Sequence, residues 1–260
     1  MESITEYKKS AKYPDLEKVY SNCSGPGGLK LAEFIADKLD LKSGIRLLDI
    51  GMNRGYQTCF LAKEYGVFVV GIDPGDDPRY AGTSNVDGLM SNAESWGVSD
   101  RILGVKVGVP DTGFADNSFD AVYSTDAFDV VRGFQGEDKY RECLVETLRV
   151  LRPGGLFGYG DPMHKDVPIP EDLIPLVTEG KACWGDCFAT LDETVDIFKS
   201  VGFEIVEAGL APDAQAWWEE YAEHDPGCKA HPEEDPQAIH MDGGRWITFG
   251  YVIARKPRKK

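Results

Sequence analysis

The sequence predicts an α/β fold built on a doubly wound, mostly parallel sheet of seven strands. Three observations carry this. Short apolar runs of strand length alternate with segments of helical period. The first of these runs ends in an acidic residue and passes through a glycine turn into a helix. No internal repeat or low-complexity linker interrupts the chain, and 260 residues suit one α/β domain with a well-buried core better than two.

The elements follow in order. Gly27 to Leu39 reads as a helix after the break Ser24-Gly25-Pro26. The first strand is Ile45 to Ile50 and the second Val67 to Ile72. The third is Ile102 to Val107, the fourth Asp120 to Tyr123 and the fifth Leu156 to Tyr159. Helices are expected at Gln57 to Tyr65, Val86 to Trp96 and Asp138 to Leu151. The last is closed by Arg152-Pro153-Gly154-Gly155, a helix stop and turn signal. A helix at Thr190 to Val201 leads into a strand at Phe203 to Val206, and Trp246 to Ala254 is a final strand. Two less regular segments, 161–189 and 210–245, fall where open α/β sheets keep their binding crevices. The whole chain is thus expected to be a single domain: an N-terminal helical segment (1–43), a core (44–160), two insertions and a basic tail (255–260).

Composition excludes several classes. The formal charge is -16, with 44 acidic against 28 basic residues. Five of the basic residues lie in the last six positions, a tail expected to be a solvated end. The remaining surface repels phosphate backbones and anionic lipid, so neither nucleic acid nor membrane is expected as a partner. No run approaches the ~18 apolar residues of a membrane span. The N-terminal residues lack an apolar signal region, so a cytoplasmic, reducing setting is expected, in which six cysteines need not pair. A homodimer is compatible with all of this.

The most informative segment is Leu47-Leu48-Asp49-Ile50-Gly51-Met52-Asn53-Arg54-Gly55-Tyr56. Glycine lets backbone approach a ligand and adopt dihedrals closed to other residues, and a helix begins just beyond. Twenty-four residues after Asp49 the second strand ends in Asp73-Pro74, where a carboxylate can accept from both hydroxyls of a ribose. Together these indicate a nucleoside-containing cofactor. A dinucleotide fingerprint needs G-x-G-x-x-G, but Asn53 and Tyr56 stand at the second and third glycine positions, which argues against a nicotinamide oxidoreductase.

In these residues the chain resembles the class I, Rossmann-like S-adenosylmethionine-dependent methyltransferases, particularly the small-molecule type. Their D-x-G-x-G-x-G signature is met by Asp49, Gly51, Asn53 and Gly55. Phe114 to Asp120 resembles the family's loop into the fourth strand, and Leu148 to Gly155 its junction into the fifth. Ser24-Gly25-Pro26-Gly27-Gly28 resembles its glycine-rich approach to the N-terminal helix. The resemblance implies an antiparallel last strand, an N-terminal helical lid and S-adenosylmethionine as cofactor. It places Gly51, Met52 and Asn53 along the methionine part and Asp73 on the ribose. Pro74 would flank the adenine, Gly108 and Val109 would border its edge, and Ser124 would lie beneath the cofactor. Asp49 and Gly55 would shape the turn or touch the ligand. The family's acid after the third strand is replaced by Gly108, which leaves adenine recognition to backbone groups or Asp111.

Methyl transfer is an in-line displacement that needs alignment, water exclusion and a deprotonated acceptor. The acceptor-side candidates are His164 and Asp161, which follow the fifth strand, Asp126 after the fourth, and Tyr20 from the lid. The acceptor is left open among amines, thiols, hydroxyls and carbon. Alternative readings keep the fold but use another methyl carrier, such as a folate or methyl halide, or make the chain a non-catalytic ligand binder. Cys183/Cys187 and His224/Cys228/His231 lack the spacing of a familiar zinc site, so no metal is expected. Trp217-Trp218 reads as helix packing ahead of a cation-binding wall.

Overall fold

The computed structural model describes residues 5–76, 82–178 and 184–258. A 3-10 turn at Ser10–Lys12 precedes α1 (Leu16–Tyr20) and α2 (Gly28–Lys38). The core runs β1 (Arg46–Ile50), α3 (Tyr56–Tyr65), β2 (Phe68–Ile72), α4 (Asn85–Trp96), β3 (Ile102–Val105), β4 (Phe119–Thr125), α5 (Phe128–Val150) and β5 (Leu151–His164). Then come α6 (Ile174–Val177), α7 (Trp184–Cys187), α8 (Leu191–Ser200), β6 (Glu204–Leu210), α9 (Ala214–His224), α10 (Pro226–Ala230), α11 (Asp235–Asp242) and β7 (Ile247–Arg255).

The strands form one sheet in the order β3-β2-β1-β4-β5-β7-β6. β7 runs antiparallel to both of its neighbours and the other pairs are parallel. Both faces are covered, which is why β1 carries apolar residues on successive positions, Leu47 and Leu48, rather than in strict alternation. Leu47 packs into a cluster with α2, α3 and α4, whereas Leu48 and Ile50 pack into a second cluster with α5 and α8. Local chemistry sets the helix ends. Ser84 with Asp87, and Thr190 with Glu193, form capping boxes at the starts of α4 and α8. Gly66 and Gly97 close α3 and α4 in the left-handed conformation.

Three elements differ from expectation. α5 begins ten residues earlier than its period suggests, because Gly136 (φ 84°, ψ 170°) joins two helical pieces across a kink. The first piece carries β-branched residues and glycine, so it reads as loop in sequence. β5 is also longer than expected. It starts directly after α5, and antiparallel pairing with β7 carries it from Leu156 to His164. The tail is not loose at its root: Arg255 ends β7, and Lys256 donates its side chain to Asn117 and to the Arg149 carbonyl.

β1 and β4 are neighbours, but the chain leaves them in opposite directions across the sheet. The loops beyond their carboxyl ends therefore diverge and leave a crevice between them.

Candidate active site

At that switch point lies a cavity of about 300 Å³. It is lined by Gly51, Met52, Asn53, Asp73, Pro74 and Gly108 with Val109. Cys23, Ser24, Tyr56, Gln57, Asp126 and Phe128 line it as well. The segments that build it are the β1–α3 turn, the end of β2, the β4–α5 loop and the turn before α2.

Gly51 has φ 77°. A Cβ there would stand 2.4 Å from Cβ of Ala127, so only glycine lets the β1 exit and the β4–α5 loop close on each other. The turn then uses its own donors. The N–H groups of Gly51 and Met52 both donate to the Ile72 carbonyl (2.9 and 3.2 Å), and that of Gly55 to the Met52 carbonyl (2.8 Å). The Asn53 N–H donates to Oδ2 of Asp73 (3.0 Å). These groups are not free to cradle a pyrophosphate, which agrees with the missing dinucleotide glycines. Asn53 itself sits at φ 49°, a conformation asparagine reaches more readily than most residues.

Asp73 also accepts at Oδ1 from the Gly75 N–H (2.8 Å) and from Nδ2 of Asn85 (2.9 Å). A carboxylate has about four acceptor directions; three are engaged, and the group lines the crevice with one to spare. Opposite it, a Cβ on Gly108 would come within 3.1 Å of the Pro74 ring, so these two residues form one close wall. Asp111 is exposed and is not among the lining residues.

Other expected cofactor residues form the frame. Ser124 is buried and donates to the Ile50 carbonyl (2.8 Å), tying β4 to β1. Gly55 begins α3, where a Cβ would strike Leu89 at 2.0 Å. Asp49 is buried away from the crevice and accepts from the Thr58 hydroxyl (2.5 Å). Burial pushes its pKa up to about 7; the Thr58 bond opposes this and the Asp73 charge adds to it. The unfolded value is about 3.9, so Asp49 stabilises the fold fully only at low pH and loses that contribution as pH rises through 7. Between pH 5 and 8 the loss is about 3 kcal/mol for this group alone. Denaturant unfolding of wild type and Asp49→Asn checks it: the stability difference between the two should shift with pH in that window.

Gln57, which motif reading missed, also lines the crevice. Its Oε1 accepts from the Tyr123 hydroxyl (3.0 Å) and the Thr125 hydroxyl (2.9 Å), and its Nε2 donates to the Gly28 carbonyl (2.8 Å). It thus ties the end of β4 to the start of α2 across the crevice. The available signal was a polar residue in the first turn of the helix after the glycine turn.

Directly after β4, Asp126 occupies a left-handed conformation (φ 50°). Both of its carboxyl oxygens are sealed from solvent without a hydrogen-bond partner. The Gly25 turn lies against it: a Cβ on Gly25 would be 2.5 Å from the Asp126 Cγ. Burial pushes the Asp126 pKa well up, and the nearby Asp129 and Asp161 push in the same direction. Asp161 supports this loop from behind, accepting from the backbone N–H groups of Ala127 (3.3 Å) and Asp129 (2.9 Å) at the start of α5. Its own pKa is raised by burial and by Asp129.

The remaining candidates lie elsewhere. The His164 ring stacks on Trp246 (4.9 Å between centroids, 13°), and its Nδ1 bonds the Lys165 carbonyl. β5 carries it past the crevice because the strand runs five residues beyond the expected end. Tyr20 is fully buried and donates to Glu220 (3.1 Å). Trp217 and Trp218 are both buried: Trp217 packs on Phe34 and Phe249, while Trp218 donates to the Thr248 carbonyl. His224 pairs with Glu17 (3.0 Å), and Cys228 is buried. Cys187 packs at Gly133; Cys183 lies outside the described residues.

Residues 48–158 match the family described as Methyltransferase domain. The 24-methylenesterol C-methyltransferase 2 of Oryza sativa subsp. japonica is 33% identical over 195 residues, which cover 72% of this chain and 49% of that protein. The chain spans about half the length of the sterol methyltransferases it matches. Among solved structures, the [4+2]-cyclase SpnF shares the fold with a TM-score of 0.73 at 18% identity, covering 97% of this chain and 95% of that one. A SAM-dependent methyltransferase from Thiobacillus denitrificans, in complex with S-adenosyl-L-homocysteine, has a TM-score of 0.67 at 18% identity, covering 92% and 96%.

Proposed function

We propose that the chain transfers a methyl group from S-adenosylmethionine to a small-molecule acceptor, a reading supported by the match of residues 48–158 to a methyltransferase domain and by the strand order of the sheet. The observation that carries the reading is the crevice at the β1/β4 switch, narrowed by Gly51 and bordered by Asp73 and Asp126.

The residues present fit this cofactor. Asp73 has an acceptor direction left for a ribose hydroxyl, and Pro74, Gly108 and Val109 offer a flat carbon wall suited to a base. Gly51 lets the β1 exit and the β4–α5 loop close on each other, which narrows the crevice where the methionine part would lie. When bound, S-adenosylmethionine supplies an electrophilic methyl group on a sulfonium sulfur. The chain's own residues then do the positioning. Gln57 holds the lid turn and the β4 end in register, Tyr56 and Phe128 exclude water, and Asp126 borders the crevice with its carboxyl beneath the Gly25 turn. Asp161 is a positioning residue that acts through the α5 start. Among the described residues the five cysteines are buried and none is in a disulfide, which supports a reducing, cytoplasmic setting. The acidic surface supports a small-molecule acceptor over nucleic acid.

The test is calorimetric titration with S-adenosylhomocysteine. Saturable binding with a dissociation constant of about micromolar order is expected. Absence of any saturable heat at millimolar ligand would favour a different methyl carrier on the same fold.

A further inference from the structure

Resting on the methyl-transfer reading, we propose that the acceptor carries an extended apolar part, and that Val130 and Phe134 of α5 select it at the crevice mouth. The first piece of α5 sets the geometry. Phe128, Val130, Val131 and Gln135 all line the crevice. At about 100° per helical residue they fall within one arc of about 160°. Phe134 falls inside the same arc, between Val130 and Val131 in direction, and lies about 6 Å beyond Val130 along the helix axis. It continues the crevice wall outward by one turn.

Val130 is 48% exposed and Phe134 73%. Four apart on one helix face, they adjoin as a single patch, and an apolar patch that runs into a crevice marks a binding surface. The charged residues of this helical piece point elsewhere. Asp129 and Arg132 fall outside the arc, with the Arg132 guanidinium over the Tyr140 ring (4.2 Å) and beside Asp129. Gly133, also outside it, packs against Cys187.

The crevice itself offers an acceptor no counter-charge. Among the described residues no lysine, arginine or histidine lines it. Asp73 is bound into the β1–α3 turn at the end of β2, and both Asp126 oxygens are sealed beneath the Gly25 turn. A charged acceptor would lose its hydration there without replacement, whereas an apolar one gains by covering Val130 and Phe134. Size favours the same route. At about 300 Å³ the cavity stands at the low end of ligand pockets, ~300–1,000 Å³. With a cofactor seated over Gly51 and Asp73, a bulky acceptor part has to leave through the mouth, where the apolar wall continues along α5.

The experiment titrates 1-butanol, 1-hexanol and 1-octanol into protein saturated with S-adenosylhomocysteine, using wild type, Phe134→Ser and Phe68→Ser. Wild-type affinity should rise about two- to fourfold per added methylene. Phe134→Ser should keep its S-adenosylhomocysteine affinity and its affinity for 1-butanol, and lose about fivefold or more for 1-octanol. Phe68, 47% exposed at the start of β2, stands at the opposite end of its strand from the crevice, so Phe68→Ser should match wild type. Equal affinity for the three alcohols, no alcohol binding, or an equal loss in both variants overturns the proposal. So does unchanged 1-octanol affinity in Phe134→Ser. A second copy of the chain is the competing occupant, and a wild-type dimer in sedimentation that Phe134→Ser dissociates overturns it too. Failure of wild type to bind S-adenosylhomocysteine would appear before any alcohol is added, and it counts against the methyl-transfer reading instead.

Discussion

Gly51→Ala is expected to eliminate measurable S-adenosylhomocysteine binding and to lower the melting temperature by roughly 5–15 °C. Two separate penalties combine. Alanine at φ 77° pays about 1–2 kcal/mol for its backbone. Its Cβ would also stand 2.4 Å from that of Ala127, well inside the ~3.5–4 Å of ordinary carbon contact, and overpacking of this kind costs about 1–3 kcal/mol. The loop that must yield is the one that carries Asp126, so relief comes by opening the crevice wall. Ala127→Gly in the same background removes the steric part and leaves the dihedral part. The double variant should therefore recover a portion of both stability and binding. Calorimetry and thermal unfolding of the three variants measure this, and a Gly51→Ala protein with wild-type affinity would refute this narrowing of the crevice.

Asp73→Ala is expected to weaken S-adenosylhomocysteine binding by at least about 100-fold, equivalent to about 2.7 kcal/mol. The carboxylate satisfies the N–H groups of Asn53 and Gly75 and the side-chain amide of Asn85, in addition to any ribose contact. Hydrogen bonds to a charged acceptor contribute about 1.5–3 kcal/mol each, though losses within one cluster do not add fully. Removing the acid releases the β1–α3 turn from the end of β2 and frees the cap of the crevice. Asp73→Asn should fall between, because its carbonyl keeps part of the acceptor capacity while its NH₂ opposes the donors. An Asp73→Ala variant that is destabilised but binds normally would assign this residue to the turn alone.

The strands and the order of the core helices were legible because burial on both faces forces continuous apolar runs, and these stand out in any sequence. The β1 run and the glycine turn after it are the clearest case, with Gly51, Asn53 and Asp73 all lining the crevice where their spacing places them. Legibility failed where one residue overrides a period. Gly136 splices two helices that read as a loop and a helix, and pairing with β7 extends β5 past the Pro-Gly-Gly signal. His164 was misplaced for that reason. Its distance in sequence from the strand end looked like a loop, but antiparallel pairing carried it along the sheet to Trp246.

What the sequence determined alone is local: the alternation of elements, the glycine turn, the terminal acid of β2 and the excess of negative charge. These depend on a residue and its near neighbours, whose dihedral limits and periodicities are written in the chain itself. The tertiary structure decided which distant groups meet. It moved Asp49 behind the turn, brought Gln57 to bridge β4 and α2, and left Asp126 between Gly25 and two other acids with no partner. A partner, or the lack of one, is a property of space rather than of spacing, because hydrogen bonds and charges act over a few ångströms regardless of how many residues intervene.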